Sequence, residues 1–126
     1  MKVEVSNGEL LDKFSILKIK LEKISDEFKL INIKNEIDTI SKNCEEIIKS
    51  DLRLSVIFEE LVSVNESLWD IEDKIRIKEK EKEFDSEFIE LARSVYITND
   101  IRFTLKNKIN TITSSKLVEE KSYESY

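Results

Sequence analysis

Four residues spaced 4–3–4, Asn65, Trp69, Glu72 and Arg76, line up an amide, an indole, a carboxylate and a guanidinium. On an α-helix that spacing puts all four on one stripe. Trp69 is the only tryptophan in the chain, and Asp73 stands beside Glu72. A second set, Asn99, Arg102 and Lys106, shares one helical face, with Asn110 on its flank. Burying such groups unpaired is costly, so they require acidic partners, water or a ligand. Two arrangements meet that requirement. In a closed network Glu72, Arg76, Asn99 and Arg102 bond to one another, and Asp100 or a carbonyl accepts the Trp69 N–H. In a pocket, the phosphate or carboxylate of a small anionic ligand meets Arg102, Lys106, Arg93 or Lys13, between walls made by Trp69 and Tyr96.

Other chemistries find less in the sequence. There is no histidine, which excludes an imidazole base and a His-ligated zinc site within this chain. Cys44 is the only cysteine and sits on an apolar seam, the place of an inert core thiol. Glu66, Glu72 and Asp73, with Glu9 and Asp12, could offer oxygen ligands to Mg²⁺. Glu9-x-x-Asp12 resembles half of the paired acidic motif of all-α nucleoside triphosphate pyrophosphatases, but Glu66-x-x-Trp69 stands where the second pair belongs. No metal site or cofactor is therefore expected.

The elements that position these residues follow from the hydrophobic period. Ser6-Asn7-Gly8-Glu9 is a capping box. It opens a helix over 6–24 with Leu10, Phe14, Leu17, Leu21 and Ile24 on one stripe. The stripe loses phase at Ser25-Asp26, so Asp26 is read as the cap of a second helix over 26–49, lined by Leu30, Ile33, Ile37, Ile40, Cys44 and Ile47. Ser50-Asp51 caps a third helix, over 51–83, with Leu54, Ile57, Leu61, Val64, Leu68, Ile71 and Ile75 as its seam. The alternating run from Lys78 to Glu83 reads as a solvated helix end. Asp85 caps the fourth helix, over 86–113, with Phe84 and Ile89 placed as a hydrophobic staple. Its inner face carries Phe88, Leu91, Ala92, Val95 and Ile109. A polar tail, 114–126, follows, in which Tyr123 and Tyr126 could dock on the body. Met1, Val3 and Val5 alternate with Lys2 and Glu4, which allows a short N-terminal strand or an extended arm.

A hairpin turning near Phe84-Asp85 puts Glu72 level with 96–99, Trp69 with Asp100, Asn65 with 103–106, and Arg76 with Arg93. Its arms are matched in charge. Residues 59–73 hold six acids and no base, and residues 91–118 hold five bases and one acid.

Composition agrees with an all-α domain. One Gly and no Pro among 126 residues leave little turn chemistry for sheets. With 40% hydrophobic residues at regular spacing, the 38% charged fraction does not signal disorder. A net charge of −6 disfavours nucleic acid as a partner. No apolar run is long enough to span a bilayer and no signal-peptide pattern opens the chain, so a cytoplasmic location is expected.

The motifs resemble a bacterial family. Ser6-x-Gly8-Glu9-Leu10-x-Asp12-Lys13, Asn65-x-x-x-Leu68-Trp69-x-Ile71-Glu72-Asp73 and Leu91-Ala92-Arg93-x-Val95-Tyr96-x-x-Asn99-Asp100-x-Arg102 are similar to domain-of-unknown-function family 6165. So is Glu119-Glu120-Lys121-Ser122-Tyr123. The resemblance implies no activity, cofactor or catalytic residue. It does imply company with glycosyltransferases and surface-polysaccharide enzymes for some members, which is association rather than mechanism.

The sequence thus predicts one all-α domain, an antiparallel four-helix bundle that pairs with a second copy. It predicts a non-enzymatic binding or adaptor module, with a small-ligand enzyme or binder for a phosphate-bearing metabolite as the alternative. A protein partner or a small anionic ligand would engage the polar inner face.

Overall fold

In a computed structural model of the chain, which describes residues 1–115 and 119–125, four helices follow one another: α1 (Asn7–Lys23), α2 (Glu27–Lys49), α3 (Leu52–Glu81) and α4 (Ser86–Thr113). All four N-caps are the residues expected from sequence. Ser6 accepts from the Glu9 N–H at 3.1 Å, Asp26 from Lys29 at 3.0 Å, Asp51 from Arg53 at 2.9 Å and Asp85 from Phe88 at 3.0 Å. Each satisfies a donor that the first helical turn leaves without a partner.

Short turns make sequential helices antiparallel, and α4 closes the ring by packing on α1. α1 also packs on α3 across the bundle. The core lies where they meet: Leu11, Phe14, Cys44, Leu54, Phe58, Leu61, Leu105 and Ile109, with Phe14 and Phe58 stacked at 5.7 Å. Burial pushes the Cys44 thiol up to about 11, and its S–H points to the Leu10 carbonyl, as expected of an inert core thiol.

The structure resolves or corrects several local expectations. No strand forms among the described residues. Residues 1–5 are an exposed arm with no neighbouring strand to take their backbone hydrogen bonds. α1 buries Leu11 and Ile19 while Leu21 is largely exposed, because a helix contacted by three others needs more than one apolar stripe. Ala92 is exposed and Leu105 takes a core position on α4. Phe84 meets Phe88 edge-on at 5.2 Å, and Phe84 and Ile89 both remain about half exposed. Lys78 is more than a solvated helix end. Its ammonium reaches Glu83, Asp85 and Glu87 within 3.2 Å, tying the end of α3 to the start of α4.

Both α3 and α4 end on a left-handed residue, Lys82 (φ 57°) and Ser114 (φ 53°), where glycine is the usual choice. The only glycine, Gly8, is spent where α1 crosses the end of α4. A Cβ there would collide with the Lys106 carbonyl oxygen and come within 3.0 Å of Asn110 Oδ1. This close approach lets the Gly8 N–H donate to Asn110 Oδ1 at 2.7 Å. Asn7 extends the seam, donating from its side chain to Thr113 at 2.9 Å and from its backbone to Ser115 at 3.2 Å.

Candidate functional site: a tryptophan cleft over a buried ion pair

The α1–α4 seam carries the polar groups in register. One turn of α1 beyond Gly8, Asp12 is 1% exposed and accepts two bonds from Arg102, one from Nε at 2.9 Å. Asn65 of α3, 5% exposed, donates from its side chain to Asp12 at 3.0 Å and to the Ser15 hydroxyl at 2.7 Å. Ser15 in turn donates to the Asp12 carbonyl at 2.6 Å. Three helices are thus held by one carboxylate. Asp12 holds the Arg102 guanidinium above its ordinary pKa against partial burial. Bidentate geometry and added hydrogen bonds are the conditions under which a buried ion pair recovers its desolvation cost.

One turn further along α4, the buried Lys106 ammonium contacts Glu9 at 2.8 Å and Glu119, in the tail, at 3.0 Å. Burial alone would lower its pKa, but the two carboxylates outweigh that and raise it. The tail lies beside α4, with the Lys121 ammonium 5.1 Å from the Phe103 ring and 5.8 Å from that of Tyr123. Tyr126 falls outside the described residues.

Next to the Asp12–Arg102 pair, between α1 and α3, opens a cleft of about 290 Å³. Ile16, Ile19, Leu68 and Trp69 form apolar walls; Asn65 and Arg102 contribute polar atoms, and Glu72 and Asp73 stand at its edge. Trp69 therefore lines an open space at the interface, partly buried.

Of the predicted site residues, Asn65, Trp69, Glu72, Asp73 and Arg102 come together here. Asn99 leans on Arg102 at 3.5 Å, and Lys106 and Asn110 continue the seam. The rest lie elsewhere. Arg102 pairs with Asp12 rather than Glu72, which instead contacts Arg76 on the exposed face at 3.5 Å. Lys13 is exposed and bridges to Glu36 of α2 at 3.2 Å, and Arg93 pairs with Glu90 one turn before it. Tyr96 and Asp100 line a separate groove with Tyr123, so Tyr96 does not form the wall opposite Trp69. The paired acids Glu9 and Asp12 are committed to Lys106 and Arg102. Among the described residues no three carboxylate or thiol groups converge as a metal site would require. Asp12 and Ser15 were not singled out for this role from sequence. The available signal was an acid and a hydroxyl flanking the α1 stripe, three apart, on the side that carries Gly8's close approach.

The fold and site define a four-helix bundle with a small aromatic cleft over a buried, fully engaged ion pair. The chain belongs to the family of unknown function DUF6165, whose family model matches residues 1–126. No curated protein and no solved structure matches it.

Proposed function

We propose that this chain is a non-enzymatic helical binding module whose recognition element is the Trp69 cleft. The observation that supports this reading is the position of the sole tryptophan, in the wall of an open cleft whose polar groups are already fixed by the Asp12 network. A site held by buried, mutually bonded groups is preorganised, which lowers the cost of binding. Its walls are mostly apolar with a few placed polar groups, as in small-ligand sites. The cleft is small, which suits a side-chain-sized group better than a whole nucleotide.

The alternative, an enzyme or binder for a phosphate-bearing metabolite, draws less support. Arg102 and Lys106 are each engaged by carboxylates, and a phosphate would have to displace them. Release of pyrophosphate from a nucleoside triphosphate with Mg²⁺ would revive it. A role beside glycosyltransferases rests on the family resemblance alone. A cytoplasmic location is consistent with a single, unreactive thiol. No helix among the described residues is long and apolar enough to cross a membrane.

Because Trp69 is the only indole, its emission reports the cleft directly. Titration with a panel of amines, sugars, nucleotides and inorganic phosphate, alongside thermal melts, is expected to give a saturable emission change and a raised Tm for at least one class. Flat emission and flat melts across the panel would remove the binding-module reading.

Self-association is part of the proposal. A groove of about 700 Å³ lined only by α3 and α4 residues, among them Val56, Ile57, Phe103 and Ile112, lies on the outer face of that hairpin. Val56 and Ile101 on those helices are each at least half exposed. A second copy presenting the same face would cover both in an isologous contact.

A further inference from the structure

We propose that the Trp69 cleft takes a cationic group, a primary ammonium or a guanidinium on a short apolar stem. This inference rests on the cleft being a binding site and names the class of its ligand. The first argument is charge. Arg102 and Asp12 cancel each other, since two of the guanidinium nitrogens bond to Asp12 and the third leans on Asn99. Among the residues that line the cleft, the charges left uncancelled are negative. Asp73 has no ion pair among the described residues, and Glu72 has only the exposed Arg76 contact at 3.5 Å.

The second argument is the wall. An indole is the best of the aromatic faces for a cation, and the gain grows where the site is partly desolvated. Ile16, Ile19 and Leu68 supply the apolar contact that an alkyl stem would use. Size agrees, because about 290 Å³ holds the end of a lysine or arginine side chain or a small amine. The third argument is the approach. Glu66 and Asp70 precede Asp73 on α3 at helical spacing and also have no ion pair among the described residues. No lysine or arginine interrupts residues 59–73. Such a run of one sign raises the local concentration of cations and suppresses anions.

An ammonium group could come from a free amine or from a lysine side chain of a partner protein. The test therefore titrates the full chain, following Trp69 emission, with n-butylammonium and with the peptide acetyl-Gly-Lys-Gly-amide. The peptide acetylated on its lysine, n-butanol and inorganic phosphate serve as comparisons. Saturation by n-butylammonium at least about tenfold tighter than by n-butanol, weakened by added salt, supports the inference. Asp73→Asn and Glu72→Gln are each expected to weaken that binding about threefold, the size of an exposed charge contact. Tighter binding of the peptide, lost on lysine acetylation, assigns the cation to a protein partner; tighter binding of n-butylammonium assigns it to a free amine. Equal saturation by n-butanol, or saturation by phosphate, overturns the cationic assignment and leaves the binding-module reading standing. Silence from every probe, with unchanged melts, overturns the cationic assignment. Silence extending to the sugars and nucleotides removes the cleft as a binding site as well.

Discussion

Asp12 decides more than any other single residue. It is buried on α1, yet its oxygens are shared by a guanidinium from α4 and an amide from α3. Replacing Arg102 with Met leaves a buried carboxylate without its counter-charge. The expected loss is roughly 3–5 kcal/mol, measured by urea unfolding. Adding Asp12→Asn to that variant should recover part of the loss, since the orphaned charge is then gone. A variant that unfolds at the same urea concentration as the parent would show the pair to be ornamental. Lys106 makes a prediction in pH. Its folded pKa is raised by Glu9 and Glu119, so its contribution is fully present below the unfolded lysine value of about 10.4. It is lost as pH rises through the higher folded value. Stability should therefore fall more steeply above about pH 10 in the parent than in Lys106→Met, compared by urea unfolding at matched pH.

At the scale of the element, the telling exchange is where the single glycine sits. Two helices end on left-handed residues that are not glycine, while Gly8 occupies a helical position that needs no unusual φ. Close packing of α1 on the end of α4 explains the choice: a side chain at that position would meet backbone, which cannot move aside. Gly8→Ala is expected to destabilise by about 1–3 kcal/mol despite the better helix propensity of alanine. Lys82→Gly, at a position whose φ is already positive, is expected to stabilise by up to about 1 kcal/mol. Paired thermal melts of the two variants should move in opposite directions. The caps that begin the helices needed no such discovery, since Ser6, Asp26, Asp51 and Asp85 all act locally.

For the whole molecule, the distribution of exposed apolar residues is the main consequence of the packing. α3, at 30 residues, is nearly twice as long as α1, at 17. By helical rise it outreaches α1 by about 20 Å. The α3–α4 hairpin accordingly leaves apolar surface near its turn without cover from α1, including Ile77 and Phe84, each at least half exposed. Ile101, beside Arg102 at the level of α1, is half exposed on another face. If a second copy covers the outer face of the hairpin, sedimentation equilibrium should give twice the chain mass of 14.8 kDa. Ile101→Glu together with Val56→Glu should return the chain to one copy without lowering its helix content, because neither side chain is in the core. A parent that sediments at the single-chain mass at all concentrations would remove the self-association proposal.

The amino-acid sequence by itself determined the helices, their caps and the face on which Asn99, Arg102, Lys106 and Asn110 lie. Those features depend on interactions within a few residues, or on a 3.6-residue period that any reader of the chain can count. Equal rise along the hairpin put Trp69 level with Asp100 on the α3–α4 seam, whereas the structure sets Trp69 in the wall of a cleft between α1 and α3 and leaves Asp100 in a separate groove. Which partner each polar group takes was decided only by tertiary structure. The sequence offered Arg102 the acids of α3, matched in charge and level along the hairpin. The bundle gives it Asp12 of α1, because Gly8 lets α1 approach α4 closely enough for a bidentate contact. With Arg102 drawn to Asp12, Glu72 and Asp73 stand at an open cleft rather than inside a closed network.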